Sequence, residues 1–463
     1  NLTDSPGPLF TGFDQDLRSL ALPQWDFPEK LKFPMTHPLD AYGRIENSLD
    51  DSITTPINYS WNLSFGRELP FGLFLEVSYL GRSARNLLAG RDILHFNNLV
   101  DPTSGQSWYD AASILMDHRW ANTPLDEAPT IPFFENLFPS LADWGLGTPS
   151  QAAYWWVARE AVGGLDWLDW TWMQFVLNNS GTHPGMFMHP QYGSLGVRST
   201  IARSDYHALT ATIRKRFSDS LSFDLNYTWS ESMDNASGGQ AQGNLNLNTL
   251  IVNPLSPDDM YAMSGFDTRH VVNSIWLWEL PFGRGRAYWN DLPGFGEALL
   301  GGWSFNGIFR WNSGLPLHGP QEYFRWATSW ARPSWNSRIR DPKVRPHKEG
   351  DHPNYWDDPQ YAWNSFRDAR AGETGDRNVF RDPSYFTIDF GLHKSLAMPY
   401  KEQHRLVFGW EVFNATNTQR LSGGARWGLN PDPQIGKMDT GFGNIDQIQG
   451  HPRVMQFSLR YEF

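Results

Sequence analysis

The residues best suited to ligand chemistry lie in the stretch 313–384. Trp326, Trp330 and Trp335 stand among Arg325 and Arg332, with Trp356, Trp363, Arg338, Arg340 and Arg345 further along. A guanidinium over an indole is worth about 0.5–2 kcal/mol, and basic-aromatic surfaces can hold nucleic acid or acidic polymers. Asp341, Asp351, Asp357, Asp358, Asp368 and Asp376 neutralise this stretch, which favours a local salt-bridged fold. Its length far exceeds the ~12–15 residues at which loops become functional suspects. Trp326, Trp330, Trp335, Arg325 and Arg332 are therefore the candidate ligand or partner contacts. A second aromatic set, Trp155, Trp156, Trp167, Trp170 and Trp172, lies near Glu160, Asp166 and Asp169. Aromatics beside carboxylates can stack on sugars, but a packed loop core or an interface with another chain is the favoured reading.

Catalytic patterns fail in turn. His183 and His189 are six apart and His207 lies in a strand-like segment, so no metal-binding His-Glu-x-x-His pattern forms. Gly283-Arg-Gly-Arg286 lacks the strand-to-helix setting of a phosphate cradle. The carboxylates give no placeable acid–base dyad. The Asp-rich 257–259 and 431–433 could bind calcium weakly, but their prolines suit turns. Cysteine is absent, which removes disulfides and thiolate sites. The reading is a non-enzyme with no catalytic residue, metal or cofactor. A net charge of −12 argues against nucleic acid as a general partner.

The elements that must position these residues have period 2. Leu221, Phe223, Leu225, Tyr227 and Trp229 alternate with Ser222, Asp224, Asn226, Thr228 and Ser230. Successive strand side chains point to opposite faces, so one surface is apolar and one polar. Similar segments recur at roughly 57–69, 72–80, 205–217, 220–230, 268–280, 302–312, 385–396, 403–413 and 453–463. They suit tilted transmembrane strands of ~9–11 residues better than globular strands of ~5–6. Tyr59, Trp61, Tyr227, Trp229, Trp303, Trp311, Tyr461 and Phe463 sit at the ends of the apolar faces, as membrane-interface aromatics do. The mean hydropathy of −0.50 fits thin apolar bands outweighed by polar faces and loops.

The connections alternate short and long. Residues 81–204, 231–267, 313–384 and 414–452 are long; those between paired segments are short. This sorting predicts an all-β fold, an antiparallel transmembrane β-barrel with short periplasmic turns and long extracellular loops. Residues 1–56 lead in from the extracellular side, residues 57–463 carry about nine strands, and the C-terminus lies in the periplasm of an outer membrane. Nine strands entering from outside imply the C-terminal portion of a larger barrel, because bacterial barrels have even strand counts. The remaining strands are expected from an upstream region or a separate chain.

Several motifs, in this order, resemble the Oar-like TonB-dependent receptors. They are Asn58-Tyr-Ser-Trp-Asn-Leu-Ser-Phe-Gly-Arg-Glu-Leu-Pro70, Leu75-Glu-Val-Ser-Tyr-Leu-Gly81, and Tyr206-His-Ala-Leu-Thr-Ala-Thr-Ile-Arg-Lys-Arg-Phe217. Asn226-Tyr-Thr-Trp-Ser230, Asp267-Thr-Arg-His270, Glu279-Leu-Pro-Phe-Gly-Arg-Gly-Arg286 and Gly301-Gly-Trp-Ser-Phe-Asn-Gly-Ile-Phe309 follow. The resemblance implies energised uptake through a plugged barrel of ~22 strands, with outer-membrane lipid, the TonB system and the barrel-assembly machinery as partners. It also implies that Phe457, Leu459, Tyr461 and Phe463 form the assembly signal. No plug or TonB box is recognisable in the sequence. A structural or adhesive surface protein with Trp-rich assembly loops is one alternative; a secreted soluble glycan-active β protein is another.

Overall fold

The alternating segments pair in chain order into one antiparallel sheet. The computed structural model describes residues 45–93, 98–158, 177–178, 180–182, 186–187, 194–218, 220–237, 250–320, 337–349, 352–398, 400, 403–421, 425–426, 437–438, 440–445 and 448–463. The sheet's principal path has nine strands. They are β1 (Ile57–Leu69), β2 (Leu73–Asp92), β3 (Ser194–Ser218), β4 (Leu221–Asp234) and β5 (His270–Glu279). β6 (Trp303–Asn312), β7 (Tyr385–Ala397), β8 (Arg405–Phe413) and β9 (Val454–Glu462) complete it. Every neighbour pair is antiparallel. Among the described residues β1 and β9 are the two edges and do not pair with each other, so the wall is open.

Register carries the alternation across the wall. Leu63, Tyr79, Leu209 and Trp229 are successive cross-strand partners on one face. Ser64, Ser78, Thr210 and Thr228 are successive partners on the other. Tyr227, Val272, Trp311 and Phe386 continue the apolar face, as do Phe305, Leu392, Trp410 and Phe457. Trp410 and Phe457 stack at 6.1 Å with planes 7° apart. Such cross-strand pairs contribute about 0.2–1 kcal/mol each. A one-residue slip would turn every one of these rings onto the polar face.

Two strands run further than their alternation indicates. The sequence reading ends the second segment at 80 and starts the third at 205, whereas β2 reaches Asp92 and β3 begins at Ser194. The register shifts between Ala84 and Leu87 and again between Leu87 and Ala89. Each irregularity moves the inward–outward parity, so the period-2 signal dissolves while pairing continues. The expected loop 81–204 therefore contains only 93–193 as connection. A short strand, Ile45–Leu49, pairs in parallel with β3 at this rim.

Beyond the sheet, the long connections build their own cores. Helix α1 (Trp108–Trp120) starts with a capping box, in which Ser107 and Asp110 exchange side-chain and backbone hydrogen bonds. It buries Trp108, Ala111, Ala112, Leu115 and Met116. The spacing of Trp108, Ala111, Ala112, Leu115 and His118 within 107–119 reads as one face of a short helix, but the His118 ring sits only at the cluster's edge, 3.0 Å from Thr123 Oγ1 and edge-on to Tyr154. Helices α2 (Pro132–Leu137) and α3 (Pro149–Ala158) close over Trp108, Phe133, Phe134, Phe138 and Phe187. A second core gathers Tyr355, Trp356, Trp363, Phe366, Phe380 and Phe442.

Gly307 in β6 lies under the Trp276 indole, and a Cβ there would also come within 2.8 Å of the Asp389 carbonyl oxygen. Gly307→Val is expected to displace the indole and destabilise the wall by about 1–3 kcal/mol, the usual cost of overpacking. Thermal unfolding of the full-length protein in detergent checks this, and Ser304→Val at the end of the same strand is the control.

Candidate functional site

The apolar face presents its aromatics at two levels. Tyr59, Trp61, Tyr227, Trp229 and Trp311 lie toward the long-connection rim, and Trp303, Tyr461 and Phe463 toward the short-turn rim. Trp303 and Trp311 are half-buried by neighbouring strands; the others stand more exposed. Phe457, Leu459, Tyr461 and Phe463 share one side of the edge strand β9 and its end, and all four are exposed. The hydroxyls of Tyr79 and Tyr227 each lie 2.9 Å from a histidine Nδ1, on His207 and His270.

The opposite face is the polar wall. Arg214 donates to Asp224 across β3 and β4 at 2.7 Å, and Thr212 to Asn226 at 2.8 Å. Beside this ion pair is a concavity of about 530 Å³ lined by Arg214, Arg216, Asp224, Ile275, Leu277, Asn306 and Ile308. Its floor is apolar. Ile275 is 56% exposed and Leu277 40%, on a face that carries mainly hydroxyls, amides and charges. The sequence carried a signal for this patch: in β5 the alternation breaks, with Val271, Ile275 and Leu277 at polar-parity positions. An apolar floor under a guanidinium–carboxylate rim can hold a solute or polypeptide segment with both characters.

Above the wall, the segment 367–381 ties the long connections together with arginines. Arg370 donates to Asp117 of α1 at 2.5 Å, and the Arg367 and Arg370 guanidiniums lie 5.7 and 5.3 Å from the Trp120 ring centre. Asn253 donates to the Gly372 carbonyl at 2.9 Å. Arg377 donates to the Asp234 carboxylate at 2.6 Å and to the Met260 carbonyl at 2.9 Å. Both side chains of that ion pair are buried. Arg381 pairs with buried Asp267. Sequence reading passed over these arginines, because their partners lie as far as 253 residues away.

Burial and hydrogen bonds shift several groups in these connections. Burial pushes the Asp382 carboxyl up, although the Tyr355 hydroxyl donates to it at 2.6 Å. Burial and the Asp382 partner raise Tyr355 in turn. Burial opposes ionisation of Glu373, but hydrogen bonds from Arg367 at 2.7 and 2.9 Å prevail and hold its carboxyl below the usual range.

The candidate contacts Trp326, Trp330, Trp335, Arg325 and Arg332 lie outside the described residues, as do Trp167, Trp170 and Trp172. Trp356 and Trp363 are buried in the second core. Arg338 pairs with Asp341 at 2.7 Å and Arg345 with Asp357 at 3.7 Å, the local salt-bridging expected of this stretch. Trp156 packs edge-on against Trp144 and Trp155 at the margin of the first core.

A family model described as an outer membrane beta barrel domain matches residues 18–456. Among solved structures, the outer membrane transporter YddB from Escherichia coli is 8% identical, over 90% of this chain and 34% of that one, with a TM-score of 0.35. A Pseudomonas aeruginosa FadL homologue is 10% identical, over 88% of this chain and 66% of that one, with a TM-score of 0.19. The chain thus spans about a third of the first structure's length and under two thirds of the second's. No curated protein matches it.

Two outcomes follow for the arginine-tied connections. Arg377→Met leaves Asp234 buried without its cation, at a local cost of about 3–5 kcal/mol. Amide exchange at 234–237 and 260–264 is expected to accelerate, with the strand centres unaffected. For Asp382, burial raises the folded carboxyl above its unfolded value of 3.8. Its stabilisation is fully present below the unfolded value and is lost as pH rises through the folded one. Protection of Tyr355 and Trp356 amides, corrected for intrinsic exchange, should fall over that interval. Asp382→Asn should flatten this dependence.

Proposed function

The chain belongs to the family of outer-membrane β-barrel domains, and from that premise we propose that it forms part of the wall of a TonB-dependent uptake barrel. The carrying observation is the continuous polar face, with its apolar-floored concavity, behind a lipid-compatible apolar face. In this reading the long connections face the exterior and capture the ligand. The short turns and Phe463 face the periplasm. The polar wall lines a passage held shut by a plug, and TonB opens that plug from the periplasmic side. The chain performs no covalent chemistry and needs no cofactor.

The plug and the remaining strands come from an upstream region or from a separate chain. β1 and β9 both run from the long-connection rim to the short-turn rim, so they cannot meet antiparallel. An odd number of further strands between them closes an antiparallel barrel. In the bilayer core that closure is obligatory, since an unpaired edge leaves amides and carbonyls facing hydrocarbon. The assembly machinery reads Phe457, Leu459, Tyr461 and Phe463 at the β9 edge.

The packed cores of the long connections support a second reading, an adhesive or structural surface protein with the barrel as its anchor. Cysteine labelling separates the two, because the chain has no cysteine of its own. Thr228→Cys places a thiol on the polar wall of the full-length protein. An impermeant maleimide added to energised cells should label it several-fold faster when TonB is present than when it is deleted. Equal labelling in both strains favours the anchor and rejects gated uptake.

A further inference from the structure

The short-turn rim carries exposed aromatics that its turns do not need. Phe71, between β1 and β2, is 85% exposed and takes a left-handed backbone with φ 65°. Trp289, between β5 and β6, is also exposed, with φ 56°. Glycine or asparagine adopts that conformation at little cost, whereas a bulky side chain is strained there. Strained residues cluster where function holds them in place. Phe295, in helix α4 (Gly294–Leu300), is 83% exposed, and Leu299 one turn on is exposed as well. Folding gains nothing from rings left so open.

Each of these turns is fastened to the apolar face of the wall by a lysine. Lys215 shares the parity of Leu209 and stands opposite Phe223, so its side chain belongs to the apolar face. Its ammonium turns back to the Phe71 carbonyl at 2.8 Å and to Ser218 Oγ at 2.9 Å. Lys394 shares the parity of Leu392, stands opposite Trp303, and donates to the Gly301 carbonyl just past α4. The Trp303 indole donates to the Leu299 carbonyl at 2.9 Å. Both lysines are buried. A lysine at a hydrocarbon boundary lays its stem on apolar surface and carries its charge to polar groups. Here those groups are turn carbonyls, so the turns are drawn against the apolar side. The β5–β6 connection is also braced internally: Phe282 stacks on Trp289 at 4.9 Å, and Glu297 accepts the Arg284 N–H at 2.8 Å.

We propose that Phe71, Trp289, Phe295 and Leu299 are feet that embed in the adjoining phospholipid leaflet, at the boundary of headgroups and acyl chains. They lie outside the strand ladder, yet their apolar surface continues that of the wall through Trp303. Charge identifies the occupant. Within 281–301, Arg284 and Arg286 balance Asp291 and Glu297, and Arg286 is already paired with Glu279 at 2.7 Å. A neutral aromatic surface suits a lipid interface, where buried apolar area supplies the attraction. It gives a strongly charged protein partner nothing to recognise. In the orientation proposed above, this leaflet is the periplasmic one. The contact itself needs only that the sheet spans a bilayer, so it stands or falls separately from gated uptake.

The test uses the full-length protein in phosphatidylcholine nanodiscs, in which both rims meet the solvent. Bimane is attached to Phe295→Cys, to Phe71→Cys or, as the water-facing reference, to Thr103→Cys. All three are surface positions, and the two feet give independent readings if one variant fails to fold. A nitroxide on the lipid acyl chain reports contact with hydrocarbon, and iodide reports contact with water. Bimane at 295 and at 71 should be quenched several-fold more by the nitroxide lipid than at 103, and several-fold less by iodide. Phosphatidylcholine has no net charge, so this result would also show that apolar area suffices. Iodide access equal to that at 103 overturns the proposal. Shielding from both quenchers overturns it too, because protein, such as a second copy of this chain, would then cover the feet.

Discussion

Every backbone amide and carbonyl at bilayer depth must find its partner on another strand, because hydrocarbon offers none. The rest of this structure depends on that constraint. It makes the wall a ladder of antiparallel strands and sets the period of the sequence at two. It also accounts for the composition. Only alternate residues meet lipid, so a lipid-facing sheet can have a mean hydropathy of −0.50. The same constraint gives the edges of β1 and β9 their meaning: among the described residues neither has a neighbour on its outer side, and such an edge presents a row of backbone groups that need partners.

Where the chain leaves the sheet the constraint lifts, and ordinary globular physics resumes. Helix α1 is held by a capping box and an aromatic core rather than by strand neighbours. The second core packs Trp356, Phe366 and Phe380 edge-to-face, a geometry worth about 0.5–1.5 kcal/mol per pair beyond burial. Arginines join the connections to each other and to the end of β4. Movement of the segment 367–381 would thus be felt both at α1 and at the rim of the wall.

How much of this was legible follows from the same division. β1 could be read to the residue, because Tyr59, Trp61, Leu63 and Phe65 alternate without interruption. The outer parts of β2 and β3 could not, since irregular pairing near Leu87 shifts the parity while the ladder persists. Helix α1 was legible in the spacing of Trp108, Ala111, Ala112, Leu115 and His118, of which His118 alone lies at the margin of the core. The antiparallel fold was carried by local pattern and by loop lengths. The arginine ties were not, because Arg377 and Asp234 become neighbours only after the whole intervening chain has folded. The polar-wall concavity lies between these cases: Ile275 and Leu277 break a visible alternation, but only register places them beside Ile308 and Asp224.

Two of the arginine–carboxylate pairs do different physical work. Arg377 and Asp234 are both nearly sealed from solvent and are further tied to Ser237 and the Met260 carbonyl. Separating them would strand a buried charge, so they act as a clamp. Arg214 and Asp224 are 54% and 24% exposed on the polar wall. A pair so open to water contributes on the order of 0–1 kcal/mol to stability, so folding alone gives little reason to hold it there. Its value lies in the field it projects over the apolar floor of Ile275, Leu277 and Ile308. Opposite charges at one edge of a hydrophobic patch fix the orientation of whatever rests there without holding it tightly. That is the balance the proposed passage needs, since a wall that bound its cargo firmly would close itself.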